Sequence, residues 1–205
     1  MCSKGGKTMS TAAILAGGES KRMGFDKQQL VIGKEAIIAH QISILSKHFD
    51  QILIISNNHL SDQFLSIDKV SVYNDVLKGV GPLGGIHSAL KYSYDPYVFI
   101  VACDMPELDE KYLKYMNRFL PDHQAVVTCF GDWIEPFHGY YHKSLIKPIE
   151  KYLLKGYRNI STLLKEHRVY YIAEDIARIY TPDWALFDNI NTKEDLLSKL
   201  IINNA

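Results

Sequence analysis

The feature that most narrows the fold of this chain is a series of short apolar runs, each stopped by glycine, asparagine or aspartate. Residues 11–16 run into Gly17-Gly18. Residues 51–56, with Ile52 to Ile55 consecutive, stop at Asn57-Asn58, and Tyr97–Ala102 closes on Cys103-Asp104-Met105-Pro106. Continuous β-branched runs of this length suit strands covered on both faces, the condition of a parallel sheet. The intervening stretches have helical spacing. Residues 35–47 set Ile38, Ile42 and Leu45 on one face, Pro82–Tyr92 carries proline in its first turn, and Asp109 can cap a helix reaching Leu120.

Val70–Tyr73 reads as a further short strand. Ala125–Phe130 and residues 137–141, around a Gly131-Asp132 turn, predict an antiparallel pair. Helices are predicted over 145–155 and 161–166, a strand over 169–173, and a closing helix over 192–201, where Thr192 and Asp195 have the spacing of a capping box. Strands alternating with helices predict a single three-layer α/β domain, its sheet open and mostly parallel with a small antiparallel part. Ligands of such sheets bind beyond the carboxyl ends of the strands, at a switch in strand order, so the chemistry is expected just after the strands.

Composition removes several alternatives. A chain of 205 residues is one ordinary domain, and 47% apolar with 22% charged residues is globular usage. Lys plus Arg (23) equals Asp plus Glu (23), so no net field draws in nucleic acid or an anionic membrane. No apolar stretch approaches the roughly 18 residues of a membrane span. The first residues are polar, unlike a secretory leader, so a cytoplasmic protein is expected, with a flexible tail over 1–10 and the domain over 11–205. Cys2, Cys103 and Cys129 are too few and too scattered for a disulfide framework or a zinc site.

Two decoys are set aside. Gly5-Gly6-Lys7-Thr8 ends like a phosphate-binding loop, but the first glycine of that pattern would fall at Met1. His138 and His142 are four apart, yet in strand-like sequence that is about 13 Å, too far to share a metal. They are expected to be ordinary surface or half-buried histidines, and Tyr112 and Tyr115 to be packing residues.

The chemistry is concentrated after the first strand, in Leu15-Ala16-Gly17-Gly18-Glu19-Ser20-Lys21-Arg22-Met23-Gly24-Phe25-Asp26-Lys27. Glycines there let the backbone turn and bring N–H groups against a phosphate or a base edge. Lys21, Arg22 and Lys27 add three positive charges, partly offset by Asp26, beside a ligand class that carries about four negative ones as a triphosphate. Two glycines alone would be a surface turn; the whole ordered run after a buried strand predicts nucleotide binding. Asp104, directly after an apolar strand, suits a Mg²⁺ ligand or, more plainly, a turn former before Pro106. No Ser, Cys or His triad is evident.

This run resembles the signature of nucleotidyltransferases with a GT-A-like, Rossmann-related fold, and is most similar to the molybdenum cofactor guanylyltransferases, the MobA family. Further segments resemble that family in the same order: Gly81-Pro82-Leu83-Gly84-Gly85, Cys103-Asp104-Met105-Pro106, Glu135-Pro136-Phe137, Gly156-Tyr157-Arg158 with Leu163-Leu164, and Asn189-Ile190-Asn191-Thr192. The resemblance implies transfer of GMP from GTP to the terminal phosphate of molybdenum-molybdopterin, releasing pyrophosphate, with Mg²⁺ held by Asp104. It implies that Arg22, Lys27 and Asp104 are catalytic. Leu15, Ala16, Gly17, Gly18, Lys27, Asn57, Asp75, Gly81, Pro82, Leu83 and Asp104 would bind the nucleotide, and Arg158, Asn189 and Asn191 the acceptor. From the residues alone, Asn57, Asp75, Asn189 and Asn191 read equally as turn formers. Other cofactor-maturation proteins are implied as partners; nucleic acid and membrane are not. The alternatives are a related enzyme using CTP or a sugar phosphate, and a catalytically silent nucleotide-binding module. Related cytidylyltransferases tend to carry L-A-A-G where this chain has Leu15-Ala16-Gly17-Gly18; the glycine pair and the Gly81-Pro82-Leu83-Gly84-Gly85 segment both point towards GTP. Two positions depart from the family pattern: Glu35 follows Gly33-Lys34 in place of proline, and Asn159 follows Arg158 in place of serine.

Overall fold

The computed structural model describes residues 9–17, 27–58, 60 and 62–190. The apolar runs form β1 (Met9–Leu15), β2 (Phe49–Ile55), β3 (Val70–Tyr73) and β4 (Tyr97–Ala102), followed by β5 (Ala125–Phe130), β6 (Trp133–His142) and β7 (Val169–Ile172). They build one seven-stranded sheet in the order β3-β2-β1-β4-β6-β5-β7. β1 pairs in parallel with both β2 and β4, and β2 with β3. β6 is antiparallel to β4 and to β5, and β5 is parallel to β7, so every strand but β6 points the same way. Strand order runs outward in opposite directions from β1 and β4, which makes the gap between them the switch point.

Helices cover both faces. α1 (Lys27–Leu45), α3 (Glu110–Asn117) and α6 (Glu174–Tyr180) bury Ile38, Ile42, Leu45, Tyr112, Leu113, Met116 and Ala177 on the face that carries Ala12, Ile14, Ile52, Ile54, Phe99 and Val101. α2 (Pro82–Tyr92), α4 (Ile146–Leu154) and α5 (Ile160–Lys165) cover the other face over Ala13, Leu53, Ile55, Val98 and Ile100. Alternate residues of each continuous run thus enter opposite cores, which is why the runs need no polar phase. Asp109 caps α3 by accepting the Tyr112 N–H at 2.7 Å, and Asn159 caps α5 through the Thr162 N–H at 3.0 Å.

Several boundaries differ from expectation. β1 begins at Met9, inside the stretch expected to be a tail, because Met9 already pairs with Phe49. α1 starts at Lys27, eight residues before the expected 35, since one interior glycine, Gly33, costs about 1 kcal/mol and does not stop a 19-residue helix. β6 extends from 133 rather than 137 and holds Pro136 within a register shift opposite Val126 and Thr128, where a missing N–H is tolerated. α6 was not expected at all. The closing helix predicted over 192–201 lies outside the described residues.

Candidate active site

The carboxyl ends of β1, β2, β3 and β4 share one edge of the sheet, and hydrogen bonds between strands continue into the segments that follow them. Ala16 donates its N–H to Ile55 O at 2.8 Å, Ser56 to Tyr73 O at 2.9 Å, and Cys103 to Leu15 O at 3.1 Å. Gly17 is exposed there, and the place a Cβ would take is open space. Asn57 and Asp75 lock together across the ends of β2 and β3. Asn57 Nδ2 donates to Asp75 Oδ2 at 2.7 Å, and the Asp75 N–H to Asn57 Oδ1 at 3.0 Å. Two turn formers thus become one rigid polar unit.

The start of α2 closes the same edge. Gly81, its N-cap, has φ +72°, a left-handed conformation that favours glycine, and Pro82 follows in the first turn. Gly84 lets α2 approach the preceding loop: a Cβ there would lie 2.8 Å from Leu77 O and 3.7 Å from Asp75 Oδ2. Val76 N–H donates to Ser88 Oγ at 2.8 Å, fixing that loop to the helix. Leu83 is buried beneath.

Asp104 occupies the turn after β4 and is half-buried. The turn is clamped from three sides. Met105 N–H donates to Ala102 O at 3.1 Å, and Ile190 N–H to Asp104 O at 2.8 Å. From α1, the buried Gln41 Nε2 donates to Ala102 O at 2.9 Å and Met105 O at 2.7 Å. One side chain of α1 therefore positions the aspartate across the switch point from Gly17.

A second carboxyl comes from β6. Glu135 is 2% exposed and accepts the Phe137 N–H at 2.8 Å. Burial pushes it up to about 7; the Phe137 N–H opposes the rise and the negative charge of Asp104 adds to it. Sequence reading passed over Glu135 as a catalytic candidate; its signal was an acidic residue directly before proline in an otherwise apolar strand. His138, three residues on, is fully buried, against the expectation of a surface or half-buried histidine; His142 is half-buried as expected. Phe99, Tyr112 and Phe187 surround the His138 ring at 5.1, 5.9 and 5.5 Å, and neither ring nitrogen has a hydrogen-bond partner among the described residues. Burial pulls it down to about 4, so it is neutral at physiological pH.

Among the expected site residues, Leu15, Ala16, Gly17, Asn57, Asp75, Gly81, Pro82, Leu83 and Asp104 therefore gather at this edge. Asn189 adjoins Ile190 on the Asp104 turn. Arg158 lies between α4 and α5, where its Nη1 donates to Leu153 O at 3.1 Å and Tyr157 O at 2.8 Å. Gly18, Arg22 and Asn191 fall outside the described residues, as does the side chain of Lys27, the first residue of α1.

The family model described as MobA-like NTP transferase domain matches residues 12–169, from β1 to the first residue of β7. The chain belongs to the MobA-like NTP transferases. Among curated members, it is 41% identical over 187 residues to a protein of Syntrophotalea carbinolica named molybdenum cofactor guanylyltransferase, covering 90% of this chain and 88% of that one. Among solved structures, molybdopterin-guanine dinucleotide biosynthesis protein A from Archaeoglobus fulgidus superposes with a TM-score of 0.74 at 25% identity, covering 95% of this chain and all of the other. A 4-diphosphocytidyl-2C-methyl-D-erythritol synthase from Anaerococcus prevotii, 16% identical with a TM-score of 0.61 over 97% of this chain and 99% of that one, shares the fold. This MobA-like chain thus has the GT-A-like architecture, and its family match spans every gathered site residue except Asn189.

Proposed function

We propose that the chain transfers GMP from GTP to the terminal phosphate of molybdenum-molybdopterin, forming the guanine dinucleotide and releasing pyrophosphate. The observation that carries this reading is Asp104, clamped at the switch point opposite the glycine end of β1. The attacking group is a phosphate oxygen, already anionic near neutral pH because the second pKa of a phosphate monoester is about 6. No amino-acid nucleophile is needed. The barrier is repulsion between two polyanions, and one charge pair at 4 Å is worth about 4 kcal/mol at an effective dielectric of 20. Charge neutralisation and positioning therefore carry the catalysis.

The roles follow from place and chemistry. Asn57 and Asp75, held against each other, present acceptors suited to a ribose hydroxyl. The backbone around Gly81 faces the base, and Lys27 and Arg22 neutralise the triphosphate. Arg158, Asn189 and Asn191 serve the acceptor. The donor set suits Mg²⁺, which takes one or two carboxylates with phosphate oxygens and waters rather than a protein cage. No cluster of three His, Cys, Asp or Glu ligands occurs among the described residues. Asp104 would hold the ion; when bound, the ion would supply neutralisation of the triphosphate. Among the described residues no helix is long and apolar enough to cross a membrane, and the substrates suit a cytoplasmic enzyme.

The test is to incubate the protein with purified molybdopterin cofactor, GTP and Mg²⁺ and to look for the dinucleotide by mass. Product is expected with GTP. Product with CTP alone would overturn the choice of nucleotide and leave the reaction class, and no product with any nucleotide would overturn both.

A further inference from the structure

The loop between β3 and α2, residues 74–81, holds Asp75 at the nucleotide edge without a strand or helix of its own. Asn74, Val76, Lys78, Gly79 and Gly81 are exposed, and Gly79 at φ +71° and Gly81 at φ +72° stand in the left-handed region. An exposed, glycine-containing segment has many accessible conformations unless something ties it down. Two consecutive backbone amides supply the ties, from opposite sides. The Asp75 N–H donates to Asn57 Oδ1 at 3.0 Å, at the end of β2, and the Val76 N–H to Ser88 Oγ at 2.8 Å, on α2.

Of these two anchors, Ser88 is fully buried and so meets no ligand itself. Its hydroxyl donates to Gly84 O at 2.7 Å, one turn back along α2. That bond sets the hydroxyl rotor and leaves a lone pair for the Val76 N–H. A serine bonded back in this way adds nothing to a helix that alanine would not. The group that needs the oxygen is the loop amide, which loses its acceptor without it. The far end of the loop is held separately. Gly81 caps α2 and its carbonyl accepts the Gly84 N–H at 2.9 Å. Loss of the Ser88 oxygen therefore frees the Asp75 end of the loop and leaves the Gly81 end in place.

We propose that Ser88 is a positioning residue for the ribose of the bound nucleotide: through the Val76 N–H it fixes the Asp75 carboxylate, and so sets a preference for nucleotides that carry ribose hydroxyls. The assignment rests on the ribose role given to Asp75 under the proposed function. Apparent affinity falls with the fraction of the loop in its binding geometry, so a loop competent about a tenth to a third of the time binds about three- to tenfold more weakly.

The test is titration calorimetry with Mg²⁺ on the full chain, comparing GTP with 2′,3′-dideoxy-GTP for the natural chain, Ser88→Ala, Asp75→Ala and the double variant. Urea unfolding checks that each is folded. Ser88→Cys, which keeps the volume but offers only a weak acceptor, takes the place of Ser88→Ala should that variant not fold. The natural chain is expected to prefer GTP by about tenfold or more. Ser88→Ala is expected to weaken GTP by about three- to tenfold and to leave the dideoxy nucleotide within about twofold. In the Asp75→Ala chain it is expected to add no further loss. Unchanged GTP affinity in a folded Ser88 variant, equal weakening of both nucleotides, or a full extra loss in the double variant overturns the positioning role alone. Equal affinity of the natural chain for the two nucleotides overturns the ribose role of Asp75 and the positioning role with it, and leaves guanylyl transfer standing. No binding of GTP by the natural chain overturns the proposed function as well.

Discussion

Asp104 shows how little a residue's identity says until its surroundings are known. An aspartate before Met105-Pro106 is a common turn former; here its carbonyl is held by Ile190 and its flanking carbonyls by Gln41. Such fixation favours a group whose catalytic work is electrostatic, since a preset charge needs no reorganisation during reaction. Asp104→Ala is expected to abolish dinucleotide formation. Lys27→Ala is expected to slow it by about 10²- to 10³-fold, a loss of about 3–4 kcal/mol. Pyrophosphate release checks both, and full release by the Asp104 variant would remove that residue from the site.

At the scale of elements, the site depends on contacts between a helix and a loop on each face of the sheet. On one face, Gln41 of α1 donates to two carbonyls of the Asp104 turn. Gln41→Leu removes both bonds, leaving Met105 O without its Gln41 donor while Ala102 O keeps the Met105 N–H, and is expected to cost about 1–3 kcal/mol in urea unfolding. Its kcat is expected to fall by more than its GTP KM rises, because the Asp104 turn is loosened while the Asn57–Asp75 unit and the Gly81 end of α2 stay in place. On the other face, Gly84→Ala would ordinarily favour a helix by about 1 kcal/mol. The new Cβ would stand 2.8 Å from Leu77 O and 2.9 Å from Val80 Cγ2, backbone and branched side chain that yield poorly. Overpacking of this kind costs about 1–3 kcal/mol, so the steric effect is expected to win. The variant should unfold earlier and, with the loop after Asp75 displaced, bind GTP more weakly by titration calorimetry.

At the scale of the whole molecule, two buried groups on β6 bias stability in opposite directions. His138 has a folded pKa of about 4, below its ordinary 6.5. The unfolded chain therefore binds the extra proton, and this contribution, complete above 6.5, is lost as pH falls towards 4, by up to about 3 kcal/mol. Glu135 has a folded pKa of about 7, above its ordinary 4.5. The folded chain therefore holds the extra proton, and stability from this source, full below 4.5, is lost as pH rises through 7. Between pH 4.5 and 6.5 the two slopes oppose each other. Urea unfolding across that window, without divalent cation, is expected to show a shallow profile for the natural chain. His138→Leu should become more stable on acidification and Glu135→Gln less; parallel profiles for all three would refute the pairing.

The sequence by itself determined the parallel half of the sheet, the order of its helices and the edge where the chemistry lies. Those follow from local rules: apolar runs buried on both faces, glycine and aspartate ending them, and caps such as Asp109. The short α6 escaped that reading because its periodicity is faint, with Ala177 buried and Ile179 70% exposed. The start of β6, residues 133–136, escaped it for another reason, although 137–141 and its antiparallel pairing with β5 were legible. The register shift between Val126 and Thr128 turns Ile134 towards one core and His138 and Tyr140 towards the other, so no single period of two runs through the strand. Only the tertiary structure decided that β6 enters between β4 and β5, bringing Glu135 beside Asp104 and sealing His138 among aromatic rings. Pairing between strands distant in the chain depends on which partner's edge is free once the rest has packed, and that is a property of the assembled sheet.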